Sequence, residues 1–169
     1  MNRTARSYNR LADSYEKKWA DYLEHTHTKL LSVLETEKED KILDVSAGTG
    51  LFADQLLKRK AGFKEIVLND IADEMLYVAR QRFKHTDHIY FTEDPVENLS
   101  FSTSSFDSVV SINAFHNYVS KEKAISEIFR VLKPGGRFYI LDWNRSGMFL
   151  PVNFIIDIFT GEHIDTWSG

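Results

Sequence analysis

Cysteine is absent from this chain of 169 residues, and its absence removes several kinds of chemistry at once. Disulfide bonds, thiolate metal sites and cysteine nucleophiles are all excluded. Long apolar runs are also missing, since no stretch approaches the roughly 20 residues of a membrane span. The first residues, MNRTARSYNRLADSYEKKW, hold no apolar segment of signal-peptide length. We therefore expect a cytoplasmic protein.

An excess of positive charge is missing as well. The formal net charge is −4, and no block of lysine or arginine stands apart from nearby acids, so nothing indicates a nucleic acid or an anionic membrane as partner. Internal repeats and Pro/Gly/Ser linkers are absent too, while 43% of the residues are apolar, which is enough for a sizeable core. We predict a single domain over residues 1–169.

Five short apolar runs have the pattern of strands that are buried on both faces. They are KILDV (41–45), EIVLN (65–69), HIYF (88–91), FDSVVSI (106–112) and RFYILDW (137–143). Between them lie segments with helical spacing, one with an apolar face of Ala72, Met75, Leu76, Ala79 and Phe83. A second such face holds Ile125, Ile128, Phe129 and Leu132, and Pro134-Gly135-Gly136 follows as a helix stop. The alternation predicts an α/β fold with a doubly wound parallel sheet.

The first part of the chain has helical spacing without strands. Apolar residues recur at intervals of three and four over residues 3–23, and aromatic side chains at Tyr8, Tyr15 and Trp19 belong to this pattern. These aromatic residues could equally be part of a core or part of a lid over a ligand.

A glycine loop, GTGLFA, follows the first predicted strand and precedes a predicted helix. Gly48 and Gly50 lack the side chains that would keep a ligand from the backbone amides, and ligands of such sheets lie at the carboxyl ends of the strands. The loop also fits the G-x-G-x-x-A dinucleotide fingerprint, with Asp70 about 20 residues later as a ribose-binding acid. A tight turn without a ligand would use the same residues. Asp44, just before the loop, suits a ligand with a cationic amino group better than a pyrophosphate.

Further motifs extend this pattern along the chain. With LDVSAGTG (43–50), LNDIADEML (68–76), ENLSFSTSSFDSVVSINAFHNY (97–118) and VLKPGGRFYILDW (131–143), the sequence resembles the class I S-adenosylmethionine-dependent methyltransferases. The similarity is greatest to the small-molecule branch with the ubiquinone/menaquinone-type C-methyltransferases, the methyltransferase type 11 domain. It implies a Rossmann-like sheet in the order 3-2-1-4-5 and S-adenosyl-L-methionine as cofactor. It also implies in-line methyl transfer to a small-molecule acceptor.

The same resemblance implies which residues contact the cofactor. The methionine part is assigned to Asp44, Ser46, Ala47, Gly48 and Gly50, although Ser46 stands where glycine is commonest. Asp70 is assigned to the two ribose hydroxyls, with a helix-stabilising acid as the alternative. The adenine is assigned to Ile71, Met75, Asp94 and the amide of Val96. Ser111 and two residues of the N-terminal helix that closes over the cofactor, Tyr8 and Tyr15, complete the predicted set.

Two residues after the fourth strand, Asn113 and His116, are the candidates for catalysis. Relatives carry residues there that border both cofactor and substrate, and His116 is the best available general base because histidine titrates near neutral pH. A structural role at a helix cap or core edge is the alternative. Histidines 25 and 27 diverge on a helix, and histidines 85 and 88 lack acids arranged as ligands, so we predict no metal site.

The resemblance also predicts how the chain is organised. We expect an N-terminal helical lid over 1–36, a cofactor-binding core over 37–143, and a truncated helical segment over 144–169 that includes FLPVNFIIDIF (149–159). The terminal strand pair of the seven-stranded family fold would then be missing. An uncovered fifth strand favours a homodimer through that edge or through the C-terminal helix. Two other functions stay open: an NAD-dependent oxidoreductase and a non-catalytic module that binds a cofactor or a partner.

Overall fold

A computed structural model describes residues 3–12, 14–143 and 153–159 of the chain. The helices are α1 Arg3–Asn9, α2 Tyr15–Leu31, α3 Leu51–Lys58, α4 Asp73–Arg82 and α5 Lys121–Val131. The strands are β1 Lys41–Val45, β2 Glu65–Asn69, β3 Ile89–Thr92, β4 Phe106–Ile112, β5 Leu132–Trp143 and β6 Asn153–Phe159. A single 3-10 turn, Phe115–Asn117, lies between β4 and α5.

The strands form one sheet in the order β3-β2-β1-β4-β5-β6, and the first five are parallel. The predicted α/β fold and the order 3-2-1-4-5 are therefore confirmed. Because β1 pairs with β2 on one side and with β4 on the other, the strand order reverses at β1. At such a switch point the loops after neighbouring strands separate, and a crevice opens at their carboxyl ends.

Strand β6 is a correction to the sequence analysis. It pairs antiparallel with β5, from Trp143 opposite Asn153 to Arg137 opposite Phe159. The helix predicted over 149–159 is therefore wrong for residues 153–159, and the sheet does not end at β5. The run NFIIDIF is short and rich in β-branched isoleucine, so it suits a strand once the edge of β5 offers hydrogen bonds. Residues 144–152 and 160–169 lie outside the described part.

Pairing with β6 also changes the prediction of a dimer. The edge of β5 that was predicted to form the dimer is paired with β6 of the same chain, so the prediction of a dimer through this edge is wrong. Residues 153–159 form a strand, so a dimer through a helix at these positions is wrong too. The physical reason is the same in both cases, because the unpaired edge of a strand is satisfied most simply by the nearest available strand.

Both faces of the sheet are covered, as the apolar strands require. Helices α2, α3 and α4 cover one face and α5 covers the other. The predicted face of α4 is buried throughout. In α5 the buried residues are instead Ala124, Ile128 and Val131, whereas Ile125 is 37% exposed, so the predicted face is wrong at that position. The helix ends at Val131, and Leu132 is buried as the first residue of β5.

The two N-terminal helices lie across the carboxyl end of the sheet. Helix α2 is kinked at Trp19, whose φ and ψ are −117° and 18°. Helix α1 is joined to α4 by the Asn9 side chain, which donates a hydrogen bond of 2.5 Å to Asp73. Of the helices described, none combines the length and the apolarity that crossing a membrane requires.

Candidate functional site

A cleft lies at the carboxyl ends of β1, β2 and β4, beneath α1 and α2. The cleft and the solvent space at its mouth together measure about 820 Å³. Ten of the residues predicted to form the site line it: Tyr8, Tyr15, Asp44, Ser46, Ala47, Gly48, Asp70, Ile71, Met75 and Asn113. The structure thus brings together residues from helices and strand ends that are widely separated in the sequence.

The loop after β1 has a left-handed backbone at three of its residues, Ser46, Gly48 and Gly50. The amides of Ser46 and Ala47 both donate to the carbonyl of Asn69, at 2.7 and 3.0 Å, and this fixes the turn. A Cβ atom on Gly48 would meet nothing within 4 Å, so this glycine leaves the backbone open toward the cleft. The site therefore has room directly above the loop.

Gly50 has a different role from Gly48. A Cβ atom there would lie 2.7 Å from Cε2 of Phe83 and 3.3 Å from Cβ of Ala79. Gly50 also precedes α3, so its lack of a side chain allows α3 to pack closely against α4. Gly50 is not among the residues that line the cleft, and the contact predicted between Gly50 and the cofactor stays a prediction.

Asp70 lies at the end of β2, with both carboxylate oxygens engaged by the backbone. One oxygen accepts a hydrogen bond from the amide of Gly48 at 2.8 Å, and the other accepts from the amide of Ala72 at 2.9 Å. The carboxylate thereby joins the glycine loop to the N-terminus of α4. Burial raises the pKa of Asp70, while the amides of Ala72, Gly48 and Ile71 oppose that rise. Asp70 can therefore stabilise the N-terminus of α4 and still present its carboxylate to a ligand in the cleft.

Asp44 is a second carboxylate of the same cleft, and it is 2% exposed. Burial, and secondly the nearby charge of Asp70, raise the pKa of Asp44 to about 8. Within the described residues no hydrogen bond reaches this carboxylate. A buried acid in this condition favours a cationic group as its neighbour, because an opposite charge compensates for the loss of water.

A network of hydroxyl groups supports the wall beside Asp44. The Tyr118 hydroxyl lies 2.9 Å from Oγ of Ser111 and accepts a hydrogen bond of 3.4 Å from Oγ of Ser46. Ser111 is fully buried and does not line the cleft, so it acts through Tyr118. Burial raises the pKa of Tyr118, which keeps its hydroxyl protonated. Tyr118 was not predicted as a site residue, although it ends the motif NAFHNY.

A second cavity adjoins the first, and Ser46 and Ile71 line both. Asp94 and Val96, predicted from the sequence, line this second cavity. The Asp94 carboxylate accepts hydrogen bonds of 3.0 and 2.5 Å from the amide and hydroxyl of Ser100. It is therefore partly engaged within its own loop.

Asn69 holds that loop on β2 and was missed by the sequence analysis. Its side-chain oxygen accepts from the Thr92 hydroxyl and from the Asp94 amide, both at 2.9 Å. Its side-chain nitrogen donates to the Asp94 carbonyl at 3.0 Å. This side chain extends the hydrogen bonding between β2 and β3 by one rung. Its signal in the sequence is a polar residue at the end of an apolar strand, directly before Asp70.

Asn113 connects the end of β4 to helix α2. Its side-chain oxygen accepts a hydrogen bond of 2.6 Å from the Tyr22 hydroxyl, and its nitrogen donates to the Thr26 hydroxyl at 3.1 Å. Its backbone is left-handed, with φ of 57°, a conformation that asparagine tolerates better than most residues. In this arrangement the amide of Asn113 anchors α2 over the cleft.

His116 lies in the 3-10 turn after β4, one residue away from the wall of the cleft. Its Nδ1 atom is 2.6 Å from Oδ1 of Asp142, and its backbone amide donates to Oδ2 of Asp142 at 2.6 Å. The Asn117 side-chain nitrogen, which lines the cleft, lies 3.0 Å from Nε2 of His116 and donates to it. Nε2 therefore accepts, and Nδ1 carries the proton that is donated to Asp142.

The aromatic residues of the N-terminal helices separate into two groups. Tyr8 and Tyr15 line the cleft and pack edge to face, with ring centroids 5.9 Å apart. Trp19 is 39% exposed at the kink of α2 and does not reach the cleft. A further lining residue, His27 of α2, was set aside in the sequence analysis because its spacing from His25 suggested no metal site. Among the described residues, no three acids or histidines are grouped to hold a metal ion.

Comparisons with known proteins agree with this geometry. A family model described as methyltransferase domain matches residues 43–140. The ubiquinone/menaquinone biosynthesis C-methyltransferase UbiE of Wigglesworthia glossinidia brevipalpis is 36% identical over 130 residues, which are 74% of this chain and 51% of that protein. This chain thus spans about half the length of the curated relatives it matches.

Solved structures give the same result. The YcgJ protein of Bacillus subtilis is 30% identical with a TM-score of 0.66, covering 71% of this chain and 51% of that one. Phosphoethanolamine N-methyltransferase 2 of Haemonchus contortus, solved in complex with S-adenosyl-L-methionine, is 29% identical with a TM-score of 0.61 and covers 68% of this chain and 28% of that one. The chain therefore belongs to the methyltransferase domain family of class I S-adenosylmethionine-dependent methyltransferases and resembles the ubiquinone/menaquinone C-methyltransferases.

Proposed function

We propose that this protein binds S-adenosyl-L-methionine and transfers its methyl group to a small-molecule acceptor. The observation that carries the proposal is the placing of Asp44 and Asp70 in one cleft, on either side of an open glycine loop. A ligand that bears a cationic amine and a vicinal diol suits two carboxylates in this arrangement.

The residues present fit this cofactor at three places. The space above Gly48 admits a ligand directly against the backbone, because nothing would meet a Cβ atom there within 4 Å. The carboxylate of the buried Asp44 accepts no hydrogen bond from the described part of the chain, and an ammonium group of the ligand would donate one. Asp70 is held rigidly by the amides of Gly48 and Ala72, so its orientation is fixed before any ligand arrives.

We assign the parts of the cofactor from these positions. Asp44 and the loop from Ser46 to Gly48 hold the amino acid part, and Asp70 holds the ribose. Ile71 and Met75 provide the apolar surface for the adenine, with Asp94 and the Val96 amide at its edge in the second cavity. Tyr118 is part of the wall, and Gly50 and Ser111 support the wall from behind, Gly50 through packing and Ser111 through its contact with the Tyr118 hydroxyl.

The bound cofactor supplies a methyl group on a positively charged sulfur, which is already reactive. The protein has to align the acceptor with that group and keep water out. Tyr8 and Tyr15 are placed to do so, since both line the cleft from the N-terminal helices. Asn113 holds α2 in position through Tyr22 and Thr26.

We further propose that His116 accepts a proton from the acceptor when the chemistry requires it. Asp142 already receives the Nδ1 proton and would stabilise the imidazolium that forms when Nε2 is protonated. In the structure Nε2 is occupied by the Asn117 amide, so the acceptor has to replace that amide as the partner of Nε2. Asn117 also donates to the Tyr8 hydroxyl, which ties this exchange to the lid.

The alternative of an NAD-dependent oxidoreductase is less well supported. A dinucleotide would bring a negatively charged pyrophosphate to the glycine loop, where Asp44 and Asp70 already place two carboxylates. The comparisons likewise match methyltransferases.

Isothermal titration tests the proposal directly. We expect the protein to bind S-adenosylmethionine and its demethylated product S-adenosylhomocysteine, and not to bind NAD. Absence of heat with both sulfur ligands would contradict the proposal. Incubation of the protein with a methyl-labelled cofactor and a small-molecule extract then separates catalysis from binding, because only an enzyme transfers the label.

A further inference from the structure

His27 lies on the wall of the cleft that faces the ends of β1 and β4. The hydroxyl of its neighbour Thr26 accepts a hydrogen bond from the side chain of Asn113 at the end of β4. Its ring packs edge to face against Phe52 in the first turn of α3, with centroids 6.0 Å apart. Asp70 and Asp94 follow β2 and β3, which lie on the opposite side of β1 in the sheet. His27 is therefore close to the part of the cleft that holds Asp44.

The imidazole of His27 is buried without a hydrogen-bond partner. The side chain is 6% exposed, and Nδ1 has no hydrogen-bond partner. No hydrogen bond joins Nε2 to any residue in the described part of the chain either. Burial lowers the pKa of His27 to about 4, so the ring is neutral at pH 7, with one N–H donor and one acceptor. Buried polar groups are rarely left without a hydrogen-bond partner, so an unpaired imidazole on the wall of a cleft needs an explanation, and a bound ligand would supply one.

The charges of the cleft indicate which ligand group His27 suits. Among the described lining residues, Asp44 and Asp70 are acids, and His27 has the one side chain that can become a cation. An amino acid moiety brings both an ammonium group and a carboxylate. The ammonium group favours the ionised form of Asp44, and the ionised Asp44 then repels the carboxylate. The carboxylate therefore needs a donor away from Asp44, and the first turn of α3, against which His27 packs, also favours an anion.

We propose that the His27 imidazole donates a hydrogen bond to the carboxylate of the amino acid part of the cofactor. This inference rests on the proposed function and adds one residue to its binding site. Helix α2 would then both cover the cleft and bind the carboxylate of the ligand through His27. Ligands without the carboxylate gain nothing from His27.

Two ligands separate this role from simple packing. S-adenosylhomocysteine carries the amino acid part, whereas methylthioadenosine keeps the adenosine and the sulfur but lacks that part. Titration of both is carried out on the parent protein, on His27→Leu and on His27→Gln, which retains a donor. His25→Leu is the matched control, because His25 is exposed on the same helix, two residues away.

We expect His27→Leu to bind S-adenosylhomocysteine about 10- to 100-fold more weakly, the loss of a hydrogen bond to a charged group, and methylthioadenosine as the parent does. His27→Gln should keep most of the affinity, and His25→Leu all of it. The unliganded His27→Leu protein should melt no lower than the parent, because an unpaired buried polar group has been removed.

Two results would overturn the proposal. One is an equal loss of both ligands in His27→Leu, which would mean that the ring only packs; the other is no loss of either. If the parent bound neither ligand, the proposed function itself would be contradicted, which is a distinct result.

Discussion

The floor and the lid of the cleft are built in different ways. The floor consists of the loop after β1 and of Asp70, and backbone amides fix it: Ser46 and Ala47 donate to the Asn69 carbonyl, and Gly48 donates to Asp70. The lid consists of α1 and α2, and side chains hold it. Asn113 accepts from Tyr22 and donates to Thr26, and Arg82 pairs with Glu16 at 2.5 Å.

This difference decides what each part tolerates. Backbone hydrogen bonds in the floor depend on conformation, so a change in φ or a new Cβ atom is what disturbs it. The lid depends on individual polar side chains, each of which contributes a limited free energy. We therefore expect changes in the floor to have the largest effects on binding, and changes in the lid to loosen one helix while the sheet remains intact.

The largest effect should come from Gly48→Val in the floor. The new side chain enters the open space above the loop, so we expect no measurable binding of S-adenosylhomocysteine by titration. Gly135→Val is the matched control, since Gly135 also has a positive φ and open space but lies outside the cleft. Both variants should carry a similar backbone strain of about 1–2 kcal/mol. Equal binding by the two variants would contradict the placing of the ligand.

The next effect should come from Asp70→Ala. The ribose loses a charged partner, so binding should weaken by about 2–4 kcal/mol, or about 30- to 1000-fold. The amides of Gly48 and Ala72 also lose their acceptor, so the free energy of unfolding should fall by about 1–3 kcal/mol. Asp70→Asn keeps one acceptor oxygen, so its affinity and its free energy of unfolding should lie between those of the parent and of Asp70→Ala. Parent-like affinity in Asp70→Ala would refute the ribose assignment.

Asp44 should make the stability of the free protein depend on pH. The folded protein keeps this proton up to about pH 8, whereas an ordinary aspartate releases it near 3.8, so the free energy of unfolding falls as the pH rises between these values. In urea titrations the contribution of Asp44 should fall by roughly 2–3 kcal/mol between pH 5 and 7. It is measured as the difference between the parent and Asp44→Asn, because the lowered pKa of His27 makes both proteins more stable as the pH rises over the same range. Asp44→Asn should remove this loss and weaken cofactor binding; the exposed Asp87→Asn should change neither.

The smallest effect concerns the lid. Asn113→Gly removes the amide that holds Tyr22 and Thr26 while relieving the left-handed backbone, so the docking of α2 should weaken by about 1–2 kcal/mol. Hydrogen exchange should speed up in α2 and stay unchanged in β1. Asn113→Ala adds the strain of a positive φ and should be less stable by roughly a further 1 kcal/mol. Uniformly faster exchange would show that floor and lid do not behave separately.

The difference between the floor and the lid also explains which parts of the structure could be predicted from the sequence. Strands β1, β2 and β4 have the bounds read from their apolar runs, and the floor residues follow from a motif of adjacent positions. Strand β6 could not be predicted because a short apolar run suits a helix or a strand, and only the edge of β5 decides between them. Nor could the helical spacing of the aromatic residues predict that Trp19, at the kink in α2, is exposed.

Residues that act through partners distant in the sequence were the hardest to find. Asn69 and Tyr118 lie within motifs but have no predicted role there, and His27 lies outside the motifs. The importance of all three comes from the atoms that the fold places near them or, for His27, leaves without a partner. His116 is the opposite case. It was selected by its chemical type, and its pairing with Asp142, 26 residues away, could not be read from the sequence.

The contacts that close the lid also have a meaning for the order of folding. Tyr22 and Asn113 are 91 residues apart, and Tyr8 and Asn117 are 109 apart, whereas the Asp70 carboxylate reaches the Gly48 amide across 22. Closing a longer loop costs more chain entropy, so these contacts should form after the sheet and its floor are in place. The helices that form last should also be the first to open, which gives a ligand a way out without unfolding the sheet.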